Sequence, residues 1–250
     1  MSDESILHSR LDQINTRWSL IRRAHADSPE SVSDARNSLV LRYSSAIRNY
    51  VGAITRNEEE TDELAQDVVV RLLKGDFSGA DPNRGRFRDL LKVAVRNMVK
   101  NYWEKKGRRT GVDYDVSIHE ESPDEDVSPW ENVWTKTVLK NVWARLEDFE
   151  RSNEGSMPFT ALRLRADHPD DSSTQLAEKL SAKLGREIRA DSARQQLRRA
   201  RVRFAEMLIE ELADGIDSPD PNLIEEELVS LGLLEYVRGI LPADWKEQLS

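Results

Sequence analysis

A chain of 250 residues with 46 Asp and Glu against 37 Lys and Arg has a formal net charge of −9, and its length suits one large domain or two small ones. Charged residues make up 33%, mean hydropathy is −0.66, and the absence of cysteine excludes disulfides, thiolate nucleophiles and cysteine-based zinc sites. No apolar run approaches the ~20 residues of a membrane span, and the longest candidate, 228–240, is interrupted by Glu235 and Arg238.

The opening residues 1–10 are polar and acidic and lack the apolar core of a signal peptide, so a cytoplasmic protein is expected. His8, His25, His119 and His168 show no ligand spacing. With no phosphate loop and no nucleophile beside a base, the expectation is a protein that is no enzyme and needs neither cofactor nor metal.

The pattern is helical nearly throughout, and the fold class expected is all-α. After an N-terminal arm, 1–34, residues 34–55 place Leu39, Tyr43, Ile47, Tyr50 and Ile54 at helical spacing. Asn57 followed by Glu58, Glu59 and Glu60 starts a second helix that runs to about Leu73. Gly75, Gly79, Asp81-Pro82 and Gly85 mark a loop. A long helix follows from about Phe87 and stops at Gly107. Residues 108–128 read as an acidic flexible linker. Ser128-Pro129-Trp130-Glu131 forms a capping box that opens a second domain, 129–214. There Ser172 and Gln175 box the start of an amphipathic helix closed by Gly185, and the next helix is capped by Asp191. The run Asp217-Ser218-Pro219-Asp220-Pro221 precedes an acidic C-terminal extension, 215–250.

Charge is unevenly spread. Residues 84–109 carry ten Lys/Arg against two acids, and 186–203 carry seven against two. Residues 110–135 hold eight acids and no Lys or Arg, and 206–250 hold twelve acids against two bases. Two basic islands in an acidic background point toward nucleic acid.

At 100° per residue, the helix from Phe87 turns Phe87, Leu91, Ala94, Met98 and Tyr102 inward. The other side presents Lys92, Arg96, Lys100 and Trp103, a ring on which a single-stranded base can stack while the cations hold phosphates. The preceding helix turns Ala65, Val68, Val69 and Leu72 inward and Glu63, Gln66, Asp67, Val70 and Lys74 outward, a face suited to docking on another protein. Further on, a helix with Ala193, Leu197, Ala200, Phe204 and Leu208 inside presents Gln195, Arg198, Arg199 and Arg203, with Arg194 on the flank. Helix, Gly-containing turn, then a helix exposing Gln and Arg is a helix-turn-helix layout, in which Arg can bridge a guanine and Gln an adenine.

These islands, in this order, resemble regions 2 and 4 of extracytoplasmic-function (ECF) sigma factors of RNA polymerase. Asp62-Glu63-Leu64-Ala65-Gln66-Asp67-Val68 is similar to the region 2 segment that docks on the clamp helices of the polymerase's largest subunit. Phe87-Arg88-Asp89-Leu90-Leu91-Lys92-Val93-Ala94-Val95-Arg96-Asn97, continuing to Tyr102-Trp103, resembles the helix that melts and reads the minus-ten element. Asp191-Ser192-Ala193-Arg194-Gln195-Gln196-Leu197-Arg198-Arg199-Ala200-Arg201 resembles the region 4 helix that reads the minus-thirty-five element. Thr16-Arg17-Trp18-Ser19-Leu20-Ile21 is similar to sigma factors of planctomycete-like bacteria. Val69 and Val70 stand where the family usually has an aromatic, Asn101 where it has an aspartate, and the turn 185–191 is longer than usual.

The resemblance implies region 2 at 35–107 and region 4 within 129–214, with core RNA polymerase and promoter DNA as partners and an anti-sigma factor or other regulator as a candidate third. It implies polymerase binding by Glu63, Gln66, Asp67 and Val70. Minus-ten contacts fall to Arg88, Lys92, Arg96, Asn97, Lys100 and Trp103, with Asn83 and Arg84 in the base-capturing loop. Minus-thirty-five contacts fall to Arg194, Gln195, Arg198, Arg199 and Arg203. The acidic extension is a candidate to fold back on a basic face and regulate DNA access. Two other readings stay open: a stand-alone helix-turn-helix regulator that binds duplex DNA as a dimer, and a helical adaptor that binds protein only.

Overall fold

A computed structural model describes residues 29–74, 87–110, 129–153, 155–214, 216, 220–241 and 245–246. Among these the secondary structure is helical, without strands: α1 (Pro29–Thr55), α2 (Glu58–Lys74), α3 (Phe87–Thr110), α4 (Pro129–Ser152), α5 (Pro158–Asp167), α6 (Ser173–Leu184), α7 (Ala190–Ala213), α8 (Pro221–Ser230) and α9 (Leu234–Arg238). No helix among the described residues is long and apolar enough to cross a membrane. Most of the arm, the loop 75–86 with Asn83 and Arg84, the linker beyond Thr110 and the Ser128 cap lie outside the described residues.

Local chemistry sets most helix ends. Asn57 Oδ1 accepts from the Glu60 amide at 3.0 Å, satisfying a donor at the start of α2, where three glutamates also meet the positive end of the helix. Ser172 and Gln175 form the reciprocal capping box, and Gly185, at φ +66°, closes α6 in the left-handed region. Asp220 accepts from the amides of Asn222 and Leu223, with Pro221 in the first turn of α8. Two boundaries differ from the sequence reading. Helix α3 continues through Gly107 to Thr110, since one glycine costs only about 1 kcal/mol. Helix α7 begins at Ala190 after Arg189, without a side-chain cap, and Asp191 in its first turn pairs with Arg194 instead.

The main core joins helices from both sides of residues 111–128. Tyr43, Ile47, Tyr50 and Val51 of α1 meet Leu64, Val68 and Leu72 of α2, Leu91, Val95 and Val99 of α3, and Trp130, Trp134, Val138 and Val142 of α4. Tyr50 lies edge-on to Trp130 at 4.7 Å, and Trp130 and Trp134 are 5.4 Å apart. Burying rings of this size is the largest single apolar contribution available per side chain.

Helix α7 spans two cores. Its later residues, Ala205 to Ala213, belong to the main core with α4, α8 and α9. Its start packs Ala193 and Leu197 on Leu176, Ala177 and Leu180 of α6 and on Ile188, in a second, smaller core. The acidic extension is part of the body: Ile224 and Leu228 of α8, then Leu231, Leu233 and Val237, are buried in the main core.

Candidate nucleic-acid and polymerase interface

Helix α2 buries Glu60, Thr61, Leu64, Ala65, Val68 and Leu72 and leaves Glu63, Gln66 and Asp67 exposed, with Val70 half-buried. Tyr102 of α3 donates to Glu63 Oε2 at 3.3 Å, and burial, with the Glu63 charge next, pushes the Tyr102 hydroxyl above its usual pKa. Glu63 is therefore tied to α3, while Gln66 and Asp67 stand clear on the same face.

The positions along α3 divide differently from the projection. Arg88, Lys92, Arg96 and Lys100 follow one another every four residues, and their cover falls along the helix. Arg88 is 4% exposed, Lys92 is 20% exposed and 3.9 Å from Glu131 of α4, Arg96 is half-buried, and Lys100 is exposed, as is Asn97. Arg88 pairs with Glu227 at 3.1 Å and donates from Nη2 to Ser230 Oγ at 2.8 Å, both on α8.

Trp103 requires a correction. It is 5% exposed rather than a free platform. Its Nε1 donates to Glu60 Oε2 at 3.2 Å, and the other oxygen of Glu60 receives Lys106. The physical reason is that α3 is covered along more than one side, so its buried surface is wider than one stripe. Leu91, Val95, Val99 and Trp103, four residues apart, lie along that wider surface with Met98. That spacing was the available signal, and Glu60, which holds both Trp103 and Lys106, was missed because it read as one of three capping acids.

At the second island, α6 is followed directly by α7, with residues 185–189 between them. Ser181 Oγ accepts from the Ile188 amide at 2.8 Å and donates to the Ala177 carbonyl at 2.7 Å, fastening the turn to α6. Arg194, Gln195, Arg198 and Arg199 are exposed on α7. Gln195, Arg198, Arg199, Val202, Arg203 and Glu206 line an open surface groove. Arg203 is the exception in its set. It pairs with Glu206 at 2.9 Å and lies 4.5 Å over the Phe149 ring, which fixes it as a strut between α4 and α7.

Helix α2 thus presents an exposed acidic and amide face, and α3 carries a row of cations that grows more exposed along the helix. Residues 39–109 match the family model of sigma-70 region 2. The match covers 71 of the chain's 250 residues. No curated protein and no solved structure gives a significant match. The matched stretch holds most of α1, all of α2 and nearly all of α3, so both the α2 face and the α3 cations lie inside it.

Proposed function

We propose that the chain is an alternative sigma factor of the ECF layout, which docks on core RNA polymerase through α2 and brings two DNA readers to one promoter. The observation that supports this reading is the exposed Gln66–Asp67 face within the region 2 match, which also takes in the α3 cations. Lys92, Arg96, Asn97 and Lys100 hold the minus-ten strand. Arg194, Gln195, Arg198 and Arg199 read the minus-thirty-five element in the major groove. Arg88 joins the minus-ten contacts when it leaves α8, and Trp103 supports α3 from within rather than stacking on a base. A cytoplasmic site of action follows from this role.

Docking is what makes an acidic protein effective on DNA. At a net charge of −9 its free affinity for phosphate is low, and polymerase supplies the shared scaffold on which both readers act at high effective concentration. The test is co-elution of the full chain with bacterial core polymerase. Asp67→Lys, on an exposed side chain, should weaken binding about tenfold or more through charge reversal at the contact. Unchanged binding by this variant, or none by the wild type, rejects the docking assignment.

A further inference from the structure

Arg88 heads the four-residue ladder of cations on α3, yet it is the one turned entirely away from solvent. Its guanidinium meets a carboxylate, Glu227, and a hydroxyl, Ser230, both presented by α8. Glu227 is itself 5% exposed on its side chain. Ser230 Oγ donates in turn to the Glu227 carbonyl at 3.0 Å, so the acceptor pair is fixed by the helix that carries it. Asp89 of α3 itself lies farther off, at 3.8 Å, so the close pair on α8, one carboxylate and one hydroxyl oxygen, faces the guanidinium much as phosphate oxygens would.

We infer that α8 is an autoinhibitory contact in which Glu227 and Ser230 stand in for a DNA phosphate and withhold Arg88 from nucleic acid. The inference rests on the sigma reading for its biological sense, but its physics concerns the free chain alone. Magnitudes decide which part moves. Peeling α8 away would expose Ile224 and Leu228, fully buried apolar side chains. A buried ion pair, by contrast, is close to balance between desolvation and attraction. Arg88 sits in the first turn of α3, so its long side chain can exchange Glu227 for a phosphate while α8 stays seated. Glu131 repeats the device more weakly one turn on, beside Lys92.

The test is a salt titration of the full chain binding fluorescein-labelled single-stranded DNA of mixed sequence, for wild type, Glu227→Gln, Ser230→Ala and Glu227→Gln/Arg88→Ala. Removing the competing carboxylate should tighten binding about threefold to tenfold at low salt and add one phosphate contact, steepening the log–log salt slope by ~0.7. Ser230→Ala, the gentler change, should move both quantities the same way by less. Adding Arg88→Ala should cancel the gain. Wild-type affinity and slope in Glu227→Gln and Ser230→Ala proteins with native melting curves would overturn the inference. So would a gain that survives Arg88→Ala. If Glu227→Gln gains affinity through Arg88 while the protein fails to program polymerase, the sigma reading falls and the contact stands. If it programs polymerase and the variants gain nothing, the reverse holds.

Discussion

Tyr43 of α1 stacks on Trp134 of α4 with their rings parallel to within 1° and their centroids 5.7 Å apart. Both are fully buried, and the contact ties the region 2 segment to the helix that follows residues 111–128. Tyr43→Leu keeps most of the apolar volume and loses the ring pairing, which should cost about 0.5–1.5 kcal/mol. Tyr43→Ala leaves a cavity and should cost about 3–5 kcal/mol, the range for truncating a large core side chain. Denaturant unfolding checks both. Because α1 and α4 share one core, the transition should stay single in the leucine variant. Equal, negligible losses would mean the stack does not hold the two segments together.

Trp103 gives a second expectation, opposite to the one its neighbours in sequence suggest. Trp103→Ala should cost about 3–5 kcal/mol of stability, and Trp103→Phe should restore most of it while losing the bond to Glu60. The check is a comparison of unfolding midpoints with single-strand affinity. Native stability combined with a selective loss of DNA binding would return Trp103 to the role of a stacking platform.

Arg56 occupies the left-handed region at φ +52° between α1 and α2, where its amide bonds to the Gly52 carbonyl at 3.0 Å. A side chain there costs about 1–2 kcal/mol, against a glycine entropy penalty of about 0.5–1 kcal/mol. Arg56→Gly should therefore stabilise the protein by roughly 0.5–1 kcal/mol, a rise of about 1–4 °C in Tm for a chain of this size. A fall in Tm would show that the exposed arginine makes a contribution larger than its backbone strain.

The Lys179 ammonium, 2.7 Å from an Asp171 oxygen, holds the Asp171 carboxyl below the usual carboxylate range. A depressed folded-state pKa contributes stability above the unfolded value, ~3.9, and loses it as pH falls through the lower folded value. Asp171→Asn should thus melt below wild type near neutral pH, with the gap closing below about pH 4. A gap that is constant with pH would assign the loss to packing rather than to the ion pair.

The sequence revealed the helices wherever local chemistry decides them. Asn57, the Ser172–Gln175 box, Gly185 and the Asp220-Pro221 start act over one turn, and each is visible in a few residues. The exposed Gln66, Asp67, Gln195 and Arg198 were also legible, because their helices bury one side. Long-range partners were not. Nothing near Arg88 or Trp103 in sequence announces Glu227, 139 positions on, or the indole's bond to Glu60, 43 residues back. A projection that grants each helix one apolar stripe places Trp103 outside, and α3, packed on several neighbours, breaks that assumption.

Reconstituted transcription tests the central claim most directly: core polymerase, candidate promoter fragments and the full chain, wild type or with Arg96→Ala/Lys100→Ala, neither of which is a core residue. The wild type should direct defined start sites, and the double variant should still bind core enzyme but lose most promoter opening, with permanganate-reactive thymines disappearing from the minus-ten region. Initiation that is the same with and without the wild-type protein would contradict a sigma factor's role for this chain.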